Sequence, residues 1–202
     1  MLSRTTFLWL AYAGLVAAFY FANTWTPKLV ADASGDPNLG IRAGVFILLG
    51  GVAGALVFAA LSTIIRARLV AVLILLGGAV VFTLFAHYFS AVETALQLAV
   101  LVGVCASGGI AAFYAISPSV YPTFVRGTGV GLMIGFGRGV AILAPIFTGY
   151  VLKAGWTPQT TYQFFAAVMA FAGVATFLLD RTYHARSTEL DADMVEGRTR
   201  PA

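Results

Sequence analysis

Residues 126–150 read RGTGVGLMIGFGRGVAILAPIFTGY, and they decide the class of fold that the rest of the chain adopts. The stretch is apolar enough and long enough to form a helix that spans a lipid bilayer. Glycine recurs at every fourth position, so four glycines share one narrow face where another helix backbone can approach closely. These helix-packing candidates are Gly127, Gly131, Gly135 and Gly139. Pro145 is expected to kink the second half of the helix.

One charged side chain, Arg138, lies well inside this apolar span. At a rise of ~1.5 Å per residue it falls near the bilayer midplane, where a charge costs at least ~2.5 kcal/mol. No Asp or Glu falls within any predicted span. The partners left open are backbone carbonyls, water, an anionic ligand or a carboxylate of another chain. We expect Arg138 to face a water-filled cavity and bind a carboxylate, because its planar guanidinium can pair with both oxygens.

The composition predicts an integral membrane protein. Of 202 residues, 60% are hydrophobic and only 10% are charged, whereas a soluble globular protein is nearer ~25% charged. The net charge of +4 comes mostly from arginines that flank apolar runs, so it does not indicate a nucleic-acid partner. The sequence holds no nucleophile–base pair, zinc motif or phosphate-binding loop at a usable membrane depth. We therefore expect no enzyme activity, no cofactor and no metal site.

Six membrane spans are predicted, which makes the fold class all-α, a polytopic six-helix bundle over residues 1–180. The spans are about 6–25, 43–62, 69–87, 95–116, 127–150 and 162–179. Pro27 is expected to end the first helix at the headgroups. Small residues at a spacing of four in the second and fourth spans predict packed helix faces. Residues 181–202 are charged and poor in large apolar side chains, which predicts a disordered tail.

An even number of spans puts both termini on one side of the membrane. The arginines near the membrane on that side are Arg4, Arg66, Arg68, Arg126, Arg181 and Arg186. The cations on the opposite side are Lys28, Arg42 and Lys153. This excess favours termini, and a tail, in the cytoplasm of a multi-pass inner (plasma) membrane protein.

Aromatic and polar side chains on the first and fourth spans are candidates for the wall of a cavity around Arg138. The substrate-binding candidates beside Arg138 are Tyr20, Asn23 and Tyr114, with Tyr12, Phe19 and Phe113 as further aromatic neighbours. Each of these residue types is also common on lipid-facing and interfacial surfaces. Which face of each helix looks inward stays open from the sequence.

Two motifs carry a resemblance to a known family. YPTFVRGTGVG (residues 121–131), followed by GFGRGVAILAP (residues 135–145), resembles the start of the eleventh helix in the major facilitator superfamily. The combination is most similar to the aromatic acid:proton symporter group. NTWTPKL (residues 23–29) resembles the seventh helix of that group. The resemblance implies that the chain corresponds to the C-terminal half of a twelve-helix carrier, helices seven to twelve.

The resemblance also implies roles for individual residues. The arginine that matches Arg138 is a contact for the substrate carboxylate, and the one that matches Arg126 lies in a cytoplasmic loop that shapes gating. Arg66 and Arg68 fall in the other loop of that gating region. Two positions depart from related patterns, because Thr63 stands at the acidic position of the loop after the second span and Ser119 stands where sugar carriers have an acid.

The leading hypothesis is the C-terminal half of a secondary transporter for small organic, aromatic carboxylates. It would be proton-coupled and work by alternating access when paired with an N-terminal six-helix half, which in this family supplies the titrating acids. The expected partners are therefore a small organic acid, the lipid bilayer and that second half. The alternative is a non-transporting six-helix membrane protein, with the glycine face as an oligomer seam, or a truncated, inactive carrier fragment. The exact substrate and the coupling ion stay open.

Overall fold

The computed structural model describes the backbone of residues 2–199 and the side chains of residues 3–183. Six helices follow one another: α1 (Leu2–Ser34), α2 (Pro37–Leu61), α3 (Ala67–His87), α4 (Val92–Ile116), α5 (Arg126–Lys153) and α6 (Pro158–Thr199). One turn of 3₁₀-helix, Ser117–Ser119, follows α4, and residues 2–199 contain no strand. Six helices are long and apolar enough to cross a membrane, which confirms the all-helical, polytopic fold class.

The prediction that Pro27 ends the first helix is wrong. α1 continues through Pro27 to Ser34, and its last turns pack on α2. At Gly40 a Cβ would collide with the carbonyl of Pro27, and at Gly44 it would lie 3.3 Å from the proline ring. This tertiary contact outweighs the lost backbone hydrogen bond, and proline is tolerated in membrane helices that have close neighbours.

Between the first two predicted spans, residues 26–42 are mostly helical, and only Gly35 and Asp36 separate α1 from α2. Gly35 has a φ of 71°, a left-handed conformation that favours glycine after a helix. Asp36 then caps α2, because its carboxylate accepts a hydrogen bond of 2.9 Å from the backbone N–H of Asn38. The short turn holds α1 and α2 antiparallel.

The small residues of α2 and α4 form the packed faces that their spacing predicts. A Cβ on Gly50 would collide with the backbone of Val100, and one on Gly54 would collide with the backbone of Val104. Gly103 of α4 makes the reciprocal contact with the backbone of Ile47. In a membrane the hydrophobic effect does not drive two helices together, because lipid tails are as apolar as the side chains. Close backbone packing at these glycines holds α2 and α4 together.

α1 lies at the centre of the bundle and contacts α2, α4, α5 and α6, while α3 packs on α4 and α6. α5 is attached mainly to α1. In the most apolar stretch of each helix, 22% of the residues of α5 and 28% of those of α2 are buried, against 44 to 50% in the other four. α2 and α5 therefore carry the open faces of the bundle.

The four-residue glycine stripe of α5 lies on such an open face. A Cβ at Gly127, Gly131, Gly135 or Gly139 would meet nothing within 4 Å in the described part of the chain. The glycines of α5 that do pack belong to another set: Gly129, Gly137 and Gly149 meet Tyr121, Tyr12 and Trp25. Helix packing at the four-residue stripe stays a prediction for contact with another chain.

Each predicted span lies within one helix, apart from Ser62, which caps the end of α2. The helices extend past most of the predicted span ends. The predicted disordered tail, residues 181–202, falls almost wholly outside the range whose side chains are described, so its disorder stays a prediction.

Candidate functional site

Arg138 lies in the middle of α5, twelve residues after Arg126 and fifteen before Lys153. Its Nη1 donates a hydrogen bond of 2.8 Å to the hydroxyl oxygen of Tyr20 on α1. Among the described side chains no carboxylate forms an ion pair with Arg138. The phenol is neutral, so the hydrogen bond orients the guanidinium without cancelling its charge.

A cavity of about 190 Å³ surrounds this hydrogen bond where α1, α4 and α5 meet. It is lined by Tyr12, Val16, Phe19, Tyr20, Ile110, Tyr114, Gly137 and Arg138. Of these eight residues, four are aromatic, two are aliphatic and none is acidic. The wall is thus suited to a flat apolar ligand that carries one negative charge.

Gly137 sets the distance between α5 and α1 beside Arg138. The ring of Tyr12 lies so close to Gly137 that a Cβ there would overlap it. Tyr12 is 3% exposed, and its ring centroid lies 5.7 Å from that of Phe113 and 6.3 Å from that of Tyr114. Tyr12 therefore fills the space between α4 and α5 and holds Arg138 and Tyr114 beside one cavity.

Two tryptophans of α1 attach α5 on either side of Arg138. Trp25 donates from its indole nitrogen to the carbonyl oxygen of Pro145 at 3.1 Å. Trp9 donates to the hydroxyl of Tyr121, which precedes α5, at 2.9 Å and stacks on Phe136 of α5, with ring centroids 5.5 Å apart. Together with Arg138 and Tyr20, these contacts tie α5 to α1 at three levels.

Three of the four predicted substrate-binding residues, Arg138, Tyr20 and Tyr114, line the one cavity. Asn23 is not among its lining residues, because its side-chain amide donates to the carbonyl of Phe19 at 2.8 Å within α1. Tyr12 and Phe19 line the cavity as further aromatic neighbours, whereas Phe113 is fully buried behind Tyr12. The sequence analysis did not predict Gly137, Val16 or Ile110 as cavity residues. Of the three, only Gly137 could have been found from the sequence, because a glycine next to Arg138 is the small residue that a close ring contact needs.

The predicted gating arginines lie at the end of the bundle that holds the start of α1 and the stretch of α6 around Asp180. Arg68 lies 3.9 Å from Asp180, donates to the hydroxyl of Ser119 at 3.3 Å and stacks 3.5 Å from the ring centroid of Tyr183. Arg66 lines a cavity of about 540 Å³ with them.

Arg4 joins this cluster from α1. Its guanidinium lies 4.1 Å from the ring centroid of Tyr183 and donates to the carbonyl of Thr182 at 2.7 Å. Arg126 begins α5 as an exposed residue and does not line the cavity of the cluster. Within residues 3–183, no group of three His, Cys, Asp or Glu side chains is close enough to hold a metal ion.

Six apolar helices, with an aromatic cavity and one arginine where α1, α4 and α5 meet, fit the membrane transporter class of protein. The family model of the Major Facilitator Superfamily matches residues 8–201, so the chain belongs to this superfamily. This confirms the family that the motifs around Arg138 indicate.

Curated relatives narrow the similarity to transporters named for aromatic acids. The chain is 27% identical to the 3-(3-hydroxy-phenyl)propionate transporter of Escherichia coli, over 88% of this chain and 44% of that protein. It is 32% identical to the gallate transporter of Pseudomonas putida, over 75% of this chain and 34% of the relative. It is 26% identical to the 4-hydroxybenzoate transporter of Pseudomonas putida, over 91% of this chain and 41% of the relative. The chain thus spans about two fifths of the length of these relatives.

Proposed function

We propose that the six helices are the C-terminal half of a secondary transporter for small aromatic carboxylates. The observation that carries the proposal is the guanidinium of Arg138, which lies at mid-span without an acidic partner among the described side chains and lines an aromatic cavity. Arg138 is exposed on the six-helix chain, and a cation at this depth in a membrane helix is stabilised by a bound anion. A carboxylate matches its planar donors. The relatives named for hydroxylated aromatic acids support the same substrate class.

A second six-helix half is part of the proposal. In carriers built of two halves the substrate site lies between them, near the bilayer midplane. The open faces of α2 and α5, and the unpacked glycines of α5, are surfaces that such a half would cover. The cavity lining holds no acid, so we assign proton coupling to groups on that half, because arginine stays protonated.

We further propose an inner-membrane location with both termini in the cytoplasm. Arg4 of α1 and Thr182 of α6 are in contact, so the two ends of the spanning bundle lie on one side. That side carries the arginine excess, which is the side that stays in the cytoplasm. In this orientation Arg66, Arg68 and Arg126 flank the cytoplasmic entrance, where we assign them a gating role. Because the family transports solutes and the site lacks a reacting group, we assign the chain no enzyme activity.

Uptake by cells tests the proposal. Cells would express this chain with the N-terminal six-helix half of a relative, and uptake of labelled 4-hydroxybenzoate would be measured against each half alone. We expect uptake only with both halves, and a loss of at least tenfold for Arg138→Lys, because a lysine cannot pair with both carboxylate oxygens. Arg42→Lys is the matched control, because Arg42 is an exposed arginine near the start of α2, away from the cavity. Full uptake by Arg138→Lys contradicts the assigned role.

One observation favours a second candidate function. The open glycine stripe of α5 is also the surface that a six-helix homo-oligomer without transport activity would use. Native mass spectrometry separates the two functions. A stable homo-oligomer that Gly131→Leu dissociates, with no uptake in the co-expression assay, favours the oligomer. A monomer that supports uptake only with the second half favours the carrier.

A further inference from the structure

Three tyrosine hydroxyl groups surround the cavity, and they differ in what they already bind. The hydroxyl of Tyr20 accepts the hydrogen bond from Arg138. Tyr12 is 3% exposed, with its ring between Phe113 and Gly137. Tyr114 is 44% exposed and lines the cavity from α4. Of the three, Tyr114 has the most room to meet a ligand.

The hydroxyl of Tyr114 also keeps unused hydrogen-bonding capacity. The ring of Tyr114 lies beside that of Tyr12, with centroids 6.3 Å apart. A phenolic hydroxyl has one donor and two acceptor positions, so contact with one neighbouring hydroxyl leaves positions for a second partner. Among the described residues no other side chain on α4 brings a polar group into the cavity, because Ile110 is the other α4 residue of the lining.

Arg138 and Tyr114 line the cavity from different helices, α5 and α4, and the ring of Tyr12 lies beside both helices. Arg138 follows Gly137, Gly137 contacts the ring of Tyr12, and Tyr12 contacts the ring of Tyr114. The apolar part of the cavity wall is formed by the side chains of Val16, Phe19 and Ile110. A positive group on α5, an apolar slot and a hydroxyl on α4 complement an aromatic acid that carries a hydroxyl group on its ring.

We infer that Tyr114 is a specificity residue that hydrogen-bonds a ring hydroxyl of the substrate, so that the site prefers hydroxylated aromatic acids to benzoate. This inference rests on the proposed function, because Arg138 must hold the carboxylate for the ring to lie in the slot. A neutral hydrogen bond between protein and ligand gives a preference of about 3- to 10-fold.

Competition binding tests the inference, with the chain reconstituted in lipid nanodiscs together with the N-terminal half used in the uptake assay. Labelled 4-hydroxybenzoate would be displaced by unlabelled benzoate, 3-hydroxybenzoate and 4-hydroxybenzoate, and the affinity ratio of the tighter hydroxy acid to benzoate would be measured. Tyr114→Phe removes one oxygen from a half-exposed side chain, and we expect it to bring the ratio to about one without weakening benzoate. Tyr150→Phe, a 70% exposed tyrosine of α5 outside the cavity, is the matched control and should keep the wild-type ratio. Tyr114→Leu is a second variant that should also erase the preference.

The outcomes separate this inference from the proposed function. If Arg138→Gln loses both acids but Tyr114→Phe keeps the preference, Tyr114 is not the specificity residue and the carboxylate site stands. Equal affinities for benzoate and the hydroxy acids in the unmodified chain overturn the inference in the same way. If neither acid binds, or if Arg138→Gln binds both as well as the unmodified chain does, the carboxylate site and the inference are both overturned.

Discussion

The indole nitrogen of Trp25 donates a hydrogen bond of 3.1 Å to the carbonyl oxygen of Pro145, which joins the C-terminal half of α5 to α1. The ring of Trp25 also lies against Gly149, where a Cβ would approach it to 3.3 Å. α5 has few contacts with helices other than α1. The two contacts of Trp25 therefore help to hold the C-terminal half of α5 against the bundle.

Trp25→Phe tests this attachment. The variant keeps an aromatic ring but removes the donor, and we expect the free energy of unfolding to fall by about 0.5–1.5 kcal/mol. Thermal unfolding in a defined detergent measures the change. Trp156→Phe is the control, because Trp156 lies 37% exposed in the turn between α5 and α6. Equal melting temperatures for the two variants would show that the indole contact does not stabilise α5.

The number and type of the helices could be predicted from the sequence because runs of about twenty apolar residues have few alternatives to a membrane helix. The end of α1 could not. Proline before a polar stretch normally marks a helix end, and the reason α1 continues past Pro27 is its contact with Gly40 and Gly44, which are close in space but belong to another helix. Contacts of that kind are not visible in local composition.

The site was predictable in part for a related reason. Arg138 stands out because a charge at mid-span is costly, and Tyr20 and Tyr114 follow as polar aromatic residues on neighbouring spans. Asn23 is also a polar residue on the first span, yet its side-chain amide donates a hydrogen bond within α1. The helices are apolar on all sides, since lipid and protein neighbours both accept apolar side chains, so the inward face of each helix leaves little trace in the sequence. The two sets of glycines on α5 are equally hard to rank without the structure.

The stacking of Arg4 and Arg68 on Tyr183 gives a second stability prediction. Both guanidinium groups lie within 4.1 Å of the ring centroid, and the hydroxyl of Tyr183 donates to the carbonyl of Ser119 at 3.3 Å. We expect Tyr183→Ala to lower the free energy of unfolding by about 1–3 kcal/mol, because each cation–π contact contributes about 0.5–2 kcal/mol. Tyr183→Phe keeps the ring and should lose much less. Chemical unfolding in detergent micelles compares the two, and equal losses would assign the stability to the hydroxyl instead of the ring.

Glycines on the two faces should respond in opposite ways to alanine. Gly54→Ala adds a methyl group against the backbone of Val104, and we expect it to cost about 1–3 kcal/mol or to prevent folding. Gly135→Ala adds the same methyl group to open space and should leave the chain as stable or gain up to about 1 kcal/mol from helix propensity. Yield and melting temperature of the two variants decide the matter. A Gly54→Ala protein as stable as Gly135→Ala would contradict the described packing of α2 on α4.

The same Gly135→Ala variant also bears on the second half. If a second half covers the glycine stripe, the added methyl group should lower 4-hydroxybenzoate uptake by cells that express both halves. The melting temperature of this chain alone should not change. Unchanged uptake would show that the stripe is not a close helix contact.

The central claim is that Arg138 pairs with the carboxylate of an aromatic acid, and the affinity difference between benzoate and benzamide tests it most directly. The two molecules have nearly the same shape, but only benzoate carries a charge. For the unmodified chain, reconstituted in nanodiscs with the N-terminal half, we predict that benzoate binds about 10- to 150-fold more tightly, the range of a charge-assisted hydrogen-bonded contact. We also predict that Arg138→Gln removes this difference. Equal binding of benzoate and benzamide, or a preference for benzoate that survives in Arg138→Gln, would contradict the account.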